Sequence, residues 1–66
     1  MTAHEKIEAL AFADECHKEA VGYDWRLALM SRYIKEAAKI GDREAVEKWT
    51  LPAHEILQMK RDSYVF

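Results

Sequence analysis

The sequence predicts an all-α fold, a small helical hairpin or three-helix arrangement in a single domain. Apolar residues recur at helical spacing along most of the chain, and helix-capping residues divide it into three segments. A chain of 66 residues is one domain at most and buries only about 60% of the surface that it exposes when unfolded. Its core is therefore marginal, and we expect a second chain to contribute stability.

The first predicted helix begins at a capping box formed by Thr2 and Glu5 and ends near Ala20. Two adjacent stripes of apolar residues run along the surface of this helix. Because a helix in a simple hairpin needs only one such stripe, the second stripe predicts a contact with another chain. We therefore expect an antiparallel two-fold dimer, with an interface that contains Ile7, Leu10, Phe12, Ala13 and Cys16.

The second predicted helix covers about Trp25 to Ile40, with Asp24 as its N-cap and Gly41 as the glycine that ends it. Gly22 is suited to end the first helix in the same way. Leucine, methionine, isoleucine and alanine form the inner face of the second helix. The residues that widen this face are Trp25, Leu29, Tyr33 and Ile40.

The charges differ between the first two helices. The first helix is net acidic, and the second is net basic. This complementarity favours antiparallel pairing of the two helices, either within one chain or across a dimer, although exposed ion pairs contribute only about 0–1 kcal/mol each.

The third predicted helix begins near Arg43, after Asp42 as its N-cap. Pro52 lacks a backbone N–H, and its ring clashes with the carbonyl of Lys48. We therefore predict a kink at Pro52, or a restart of the helix with Thr50 as the new N-cap.

The histidines and Cys16 lack the spacing of a metal site, since neither H-x-x-x-H nor C-x-x-C occurs. The many carboxylates have no glycine-rich loop or serine elbow beside them. A core this small also leaves little room for a pocket of several hundred Å³. We therefore predict no catalytic residue, no cofactor and no bound metal, and a small metal-binding protein is the least favoured alternative.

A short stretch at the junction of the second and third helices resembles a helix-turn-helix, with Ala37, Gly41, Val46 and Trp49 near that motif's small, turn and packing positions. The resemblance implies a nucleic-acid-binding regulator. Val46 and Trp49 each fall one position early, and the acidic residues of the third helix would repel phosphates. With a net charge of -2 as well, nucleic-acid binding is the alternative function and is less favoured than protein binding.

Aromatic and methionine side chains are too numerous for a core of this size to bury all of them, and such residues are enriched where proteins meet. We therefore predict a small stand-alone regulator or inhibitor that occupies the surface of a larger protein partner. Small accessory proteins of phages and other mobile elements often have this character. The candidate partner-binding residues are Trp49, Tyr33, Arg32, Tyr64 and Phe66.

A single cysteine offers no intramolecular disulfide, which is typical of a reducing compartment. The chain shows no secretion-signal pattern, and its longest apolar run is too short to cross a bilayer. The expected location is therefore the cytoplasm, without a membrane partner.

Overall fold

A computed structural model describes residues 1–20 and 24–63, which form three α-helices: α1 (Ala3–Ala20), α2 (Trp25–Ile40) and α3 (Arg43–Ser63). This confirms the predicted all-α class and the positions of the three helices. Gly22 lies outside the described residues, as do the candidate partner-binding residues Tyr64 and Phe66. Among the helices in the described ranges, none combines the length and apolarity that crossing a membrane requires.

The predicted capping box is present at the start of α1. The backbone N–H of Thr2 donates to Glu5 Oε1 at 3.0 Å, and the N–H of Glu5 donates to Thr2 Oγ1 at 3.1 Å. These hydrogen bonds with Thr2 lower the pKa of Glu5, and the positive charge of Arg43 acts in the same direction. The Glu5 carboxylate therefore stays ionised below the pH at which an ordinary glutamate takes up a proton.

The boundaries of α2 and α3 also follow the predicted caps. Asp24 Oδ1 accepts a hydrogen bond from the N–H of Leu27 at 3.2 Å, and Asp42 accepts one from the first turn of α3. Gly41 ends α2 in the left-handed conformation, with φ of 75°, and its N–H donates to the carbonyl of Ala38 at 3.2 Å. Glycine adopts this conformation without steric cost, which explains the tight turn between α2 and α3.

α3 continues without interruption through Pro52. The hydroxyl of Thr50 donates to the carbonyl of Val46 at 2.6 Å, a bond to the preceding helical turn rather than an N-cap. The predicted restart of the helix at Thr50 is therefore wrong, whereas the kink at Pro52 stays a prediction.

The three helices run up, down and up in a bundle of 40 × 18 × 16 Å. α2 is the central element, because it contacts both other helices along its length, while the backbones of the parallel helices α1 and α3 rarely approach each other. The fully buried side chains come from all three helices, with alanines where helices approach closely. The buried hydrophobic core consists of Ala9, Ala13, Cys16, Ala20, Leu27, Ile34, Ala37, Ala38, Val46, Ala53, Ile56 and Leu57.

Side chains, rather than close backbone contact, connect α1 to α3. Arg43 Nη2 lies 2.7 Å from Glu5 Oε1 at one end of the bundle, and Arg61 Nη2 lies 2.9 Å from Glu15 Oε1 towards the other end. Within residues 1–20 and 24–63, the ion pairs between helices thus join acidic α1 to α3 and not to basic α2. The charge complementarity of α1 and α2 is not used inside the chain.

Candidate protein-binding surface

One face of the bundle, formed by α2 and α3, carries a group of large apolar side chains that the core does not bury. The α2 members recur at i, i+4 and i+11 and the α3 members at i, i+3 and i+10, so each set lies on one side of its helix. Ile40 is 78% exposed and Met59 is 63% exposed, whereas Trp49 and Pro52 are half-buried. We define the α2–α3 face as Leu29, Tyr33, Ile40, Trp49, Pro52 and Met59.

Two of the predicted partner-binding residues meet at the centre of this face. The ring centroids of Tyr33 and Trp49 lie 4.9 Å apart at an interplanar angle of 38°, and Lys48 Nζ lies 5.4 Å from the Trp49 ring centroid. Such ring pairs contribute about 0.5–1.5 kcal/mol beyond their buried area. Tyr33 is exposed and Trp49 packs against the core, so the pair links the core to the solvent-exposed surface of α2.

The structure separates Arg32 from these two aromatic residues. Neighbouring residues on a helix point about 100° apart, so Arg32 and Tyr33 face different sides of α2. Arg32 lines an open groove of about 600 Å³ between α1 and α2, together with Trp25 and, on the α1 side, Asp14. The three predicted residues Trp49, Tyr33 and Arg32 therefore do not form one site.

The floor of this groove is made of small side chains. Ala13 and Ser31 are buried there, and Ala28 is half-buried. The Ser31 hydroxyl donates to the carbonyl of Ala28 at 2.7 Å, so it has no need of a ligand. A floor of this kind allows a helix to approach closely without a polar group being left unpaired.

A second face of the bundle flanks this groove and adjoins the α2–α3 face on the outer surface of α2, where Leu29 borders both. Ile7 is 65% exposed and Trp25 is 72% exposed, and Asp14 and Arg32 are also exposed. We define the α1–α2 face as Ile7, Asp14, Trp25 and Arg32.

The residues predicted for the dimer interface have different environments. Cys16 and Ala13 are buried inside a single chain, and Leu10 is half-buried against the core. Phe12 stacks on His54 of α3, with ring centroids 4.3 Å apart. Of the predicted set, Ile7 alone is largely exposed; much of the second stripe of α1 therefore packs within the chain.

Burial also determines the chemistry of Cys16. Removal from water raises the pKa of the Cys16 thiol to about 11, and the nearby Glu15 carboxylate acts in the same direction. The thiol is thus protonated and weakly nucleophilic at neutral pH.

The described part of the chain offers little other chemistry. Residues 1–20 and 24–63 contain no group of three or more His, Cys, Asp or Glu side chains placed to hold a metal ion. No buried side-chain nitrogen or oxygen in these ranges lacks a hydrogen-bond partner.

Sequence reasoning placed Trp25, Leu29, Tyr33 and Ile40 at the edge of the inner face of α2, whereas the structure exposes all four to solvent. The signal that distinguishes them is their position on the helix relative to Leu27 and to the other buried residues of α2. With 3.6 residues per helical turn, the four exposed residues fall on the side of α2 opposite its buried residues. Met59 belongs to the set of aromatic and methionine side chains that a core of this size cannot all bury, and it is exposed.

Comparison of the chain with protein-family models, with curated proteins and with solved structures gave no match.

Proposed function

We propose that this chain is a small, non-catalytic regulator or inhibitor that binds a larger protein and covers part of its surface with the α2–α3 face. The observation that carries this proposal is the exposure of large apolar side chains on a helix that is already apolar on its inner side. Exposed apolar side chains that are grouped on one face, rather than scattered singly, mark a surface at which a protein binds a partner. In a chain this small, another protein is the natural source of burial for these side chains.

The composition of the α2–α3 face supports this function. Tryptophan, tyrosine and methionine are enriched at protein interfaces, because they bury large areas at low entropic cost. Full burial of a large apolar side chain stabilises a complex by roughly 1.5–3 kcal/mol. Ile40 and Met59, the most exposed members, stand to gain most from contact with a partner.

Affinity capture from cell lysate with variants of this face tests the proposal. Ile40→Ser removes a side chain that is mostly in solvent, so it should leave the fold intact, while Tyr33→Ala removes one ring of the aromatic pair. Loss of about 2 kcal/mol of contact weakens binding roughly 30-fold, which is enough to remove the partner from a washed capture. Circular dichroism would verify that each variant keeps its helicity.

Leu51→Ser provides the matched control. Leu51 is 70% exposed on α3, but it lies beside the groove between α1 and α3 and outside the α2–α3 face. We expect the native chain and Leu51→Ser to retain one stoichiometric protein partner, and Ile40→Ser and Tyr33→Ala to lose it. Equal losses in all variants, or retention of nucleic acid alone with a strong salt dependence, would contradict the proposal.

We further propose the two-fold dimer and a kink at Pro52, which would tilt the part of α3 that bears Met59. The lone buried thiol of Cys16 supports a cytoplasmic location, and the small size of the chain supports an accessory role of the kind that phage proteins play.

A further inference from the structure

Arg32 differs from the other arginines of the chain. Each of the other three lies near a carboxylate, at 3.9, 2.7 and 2.9 Å. Arg32 forms no ion pair or hydrogen bond with the residues that the structure describes, and the same holds for Asp14 on the opposite wall of the groove. Two opposite charges thus line one groove without being paired.

Asp14 and Arg32 also lie at nearly the same height along the bundle. α1 and α2 are antiparallel: Lys6 Cε lies 3.8 Å from the position of a Cβ built on Gly41 at one end. At the other end, the last carbonyl of α1 accepts a hydrogen bond at 3.3 Å from the residue that caps α2. Both helices rise about 1.5 Å per residue. Counting the same number of residues along α1 and α2, away from either of these two contacts, therefore brings Arg32 to within about two residues of the level of Asp14.

A two-fold axis parallel to the helices preserves height and exchanges the two walls of the groove. When two copies face each other across such an axis, α1 of each copy lies antiparallel to α2 of the other. Asp14 of each copy then meets Arg32 of the other, so two ion pairs form at once. Ile7 and Trp25, which lie on either side of this level, become covered in the same contact.

We propose that the α1–α2 face is a homodimer interface with this geometry, in which Asp14 and Arg32 pair between copies. The inference rests on the dimer of the proposed function and gives it a face and an axis. Two helices present an area about 25 Å long and 20 Å wide, so the contact buries roughly 1,000 Å² in total, which is near the lower limit of specific interfaces. Apart from Leu29, which also lines the groove, the α2–α3 face stays open to a foreign partner.

Charge exchange between two purified variants tests this geometry. Asp14→Arg alone places arginine against arginine at both sites of the interface, and Arg32→Glu alone places acid against acid. Sedimentation velocity at micromolar concentrations should show a native dimer and at least about tenfold weaker association of each variant alone. An equimolar mixture of the two variants should associate as strongly as the native chain, because every arginine then faces an acid.

The control is Glu55→Arg, a charge reversal at an exposed position on α3, the helix that contributes no residue to the α1–α2 face. This variant should dimerise like the native chain. A native chain that is monomeric and folded at these concentrations overturns the inference, and so does a mixture that associates no better than its components. If the native chain is monomeric and Arg32→Glu also loses the captured partner, the α1–α2 face belongs to that partner instead. Because sedimentation uses the chain alone, failure here leaves capture through the α2–α3 face as a separate result.

Discussion

Replacing Pro52 with alanine tests whether α3 is a continuous helix, as the structure shows. In a helix interior, proline is about 3 kcal/mol less favourable than alanine, because it leaves one carbonyl without a donor and its ring crowds the preceding turn. Two effects offset about 1 kcal/mol of this gain: the half-buried ring loses contacts, and the unfolded chain becomes more flexible without proline. We therefore expect Pro52→Ala to raise the free energy of unfolding by about 2 kcal/mol.

For a domain of this size, about 2 kcal/mol corresponds to a rise in Tm of roughly 8–16 °C. Thermal and urea unfolding, followed by far-ultraviolet circular dichroism, measure the change. Glu55→Ala is the control, since it alters an exposed position of the same helix and should change stability by no more than about 0.5 kcal/mol. A Pro52→Ala variant that is less stable than the native chain, beside an unchanged control, would refute the reasoning and indicate that proline ends one helical segment there.

Two further predictions concern the α2–α3 turn and the buried thiol. Gly41→Ala should lower the free energy of unfolding by about 1 kcal/mol in urea titration, because φ of 75° is strained for alanine, while the added Cβ meets nothing closer than Lys6 Cε at 3.8 Å. Gly41→Asn should lose less, and equal losses would contradict a conformational cause. The Cys16 thiol should resist alkylation until the chain unfolds. Its pKa is 9.0 in the unfolded chain and about 11 in the folded chain, so the free energy of unfolding should fall as the pH rises from 9.0 to about 11. Cys16→Ala should lack this part of the pH dependence, and rapid labelling of the folded native chain would argue against burial.

The helix boundaries were predictable because capping is local chemistry. The side-chain oxygens of Thr2, Asp24 and Asp42 accept hydrogen bonds from N–H groups three residues further on. Gly41 adopts the left-handed conformation, which glycine adopts more readily than other residues do. None of these interactions depends on where another helix lies.

The errors arose where tertiary packing decides. Pro52 is a strong local signal for a break, yet the packing of α3 on both sides of it keeps the helix continuous. Likewise, the ion pairs of α1 depend on the position of α3, which no short sequence window contains. The acidic and basic totals of α1 and α2 therefore did not predict the pairing of Glu5 with Arg43.

The candidate site was predictable in part. The residue types of Tyr33 and Trp49 indicated an interface, and the structure brings the two rings together. Arg32 was predicted together with them, but it directly precedes Tyr33, and adjacent positions on a helix face different directions. Composition identifies the residues that suit a contact, whereas helical phase assigns them to a particular face.

An odd number of antiparallel helices places the two ends of the described chain at opposite ends of the long axis. Met1 lies at the end where α2 turns into α3, while Ser63 lies at the end where α1 leads towards α2, in a bundle 40 Å long. A label on Met1 or on Ser63 therefore lies at a tip of the molecule, away from the centres of both lateral faces. Two dyes attached at the ends would also report the length of the bundle directly, so energy transfer between them offers a measure of intactness that does not depend on helix content.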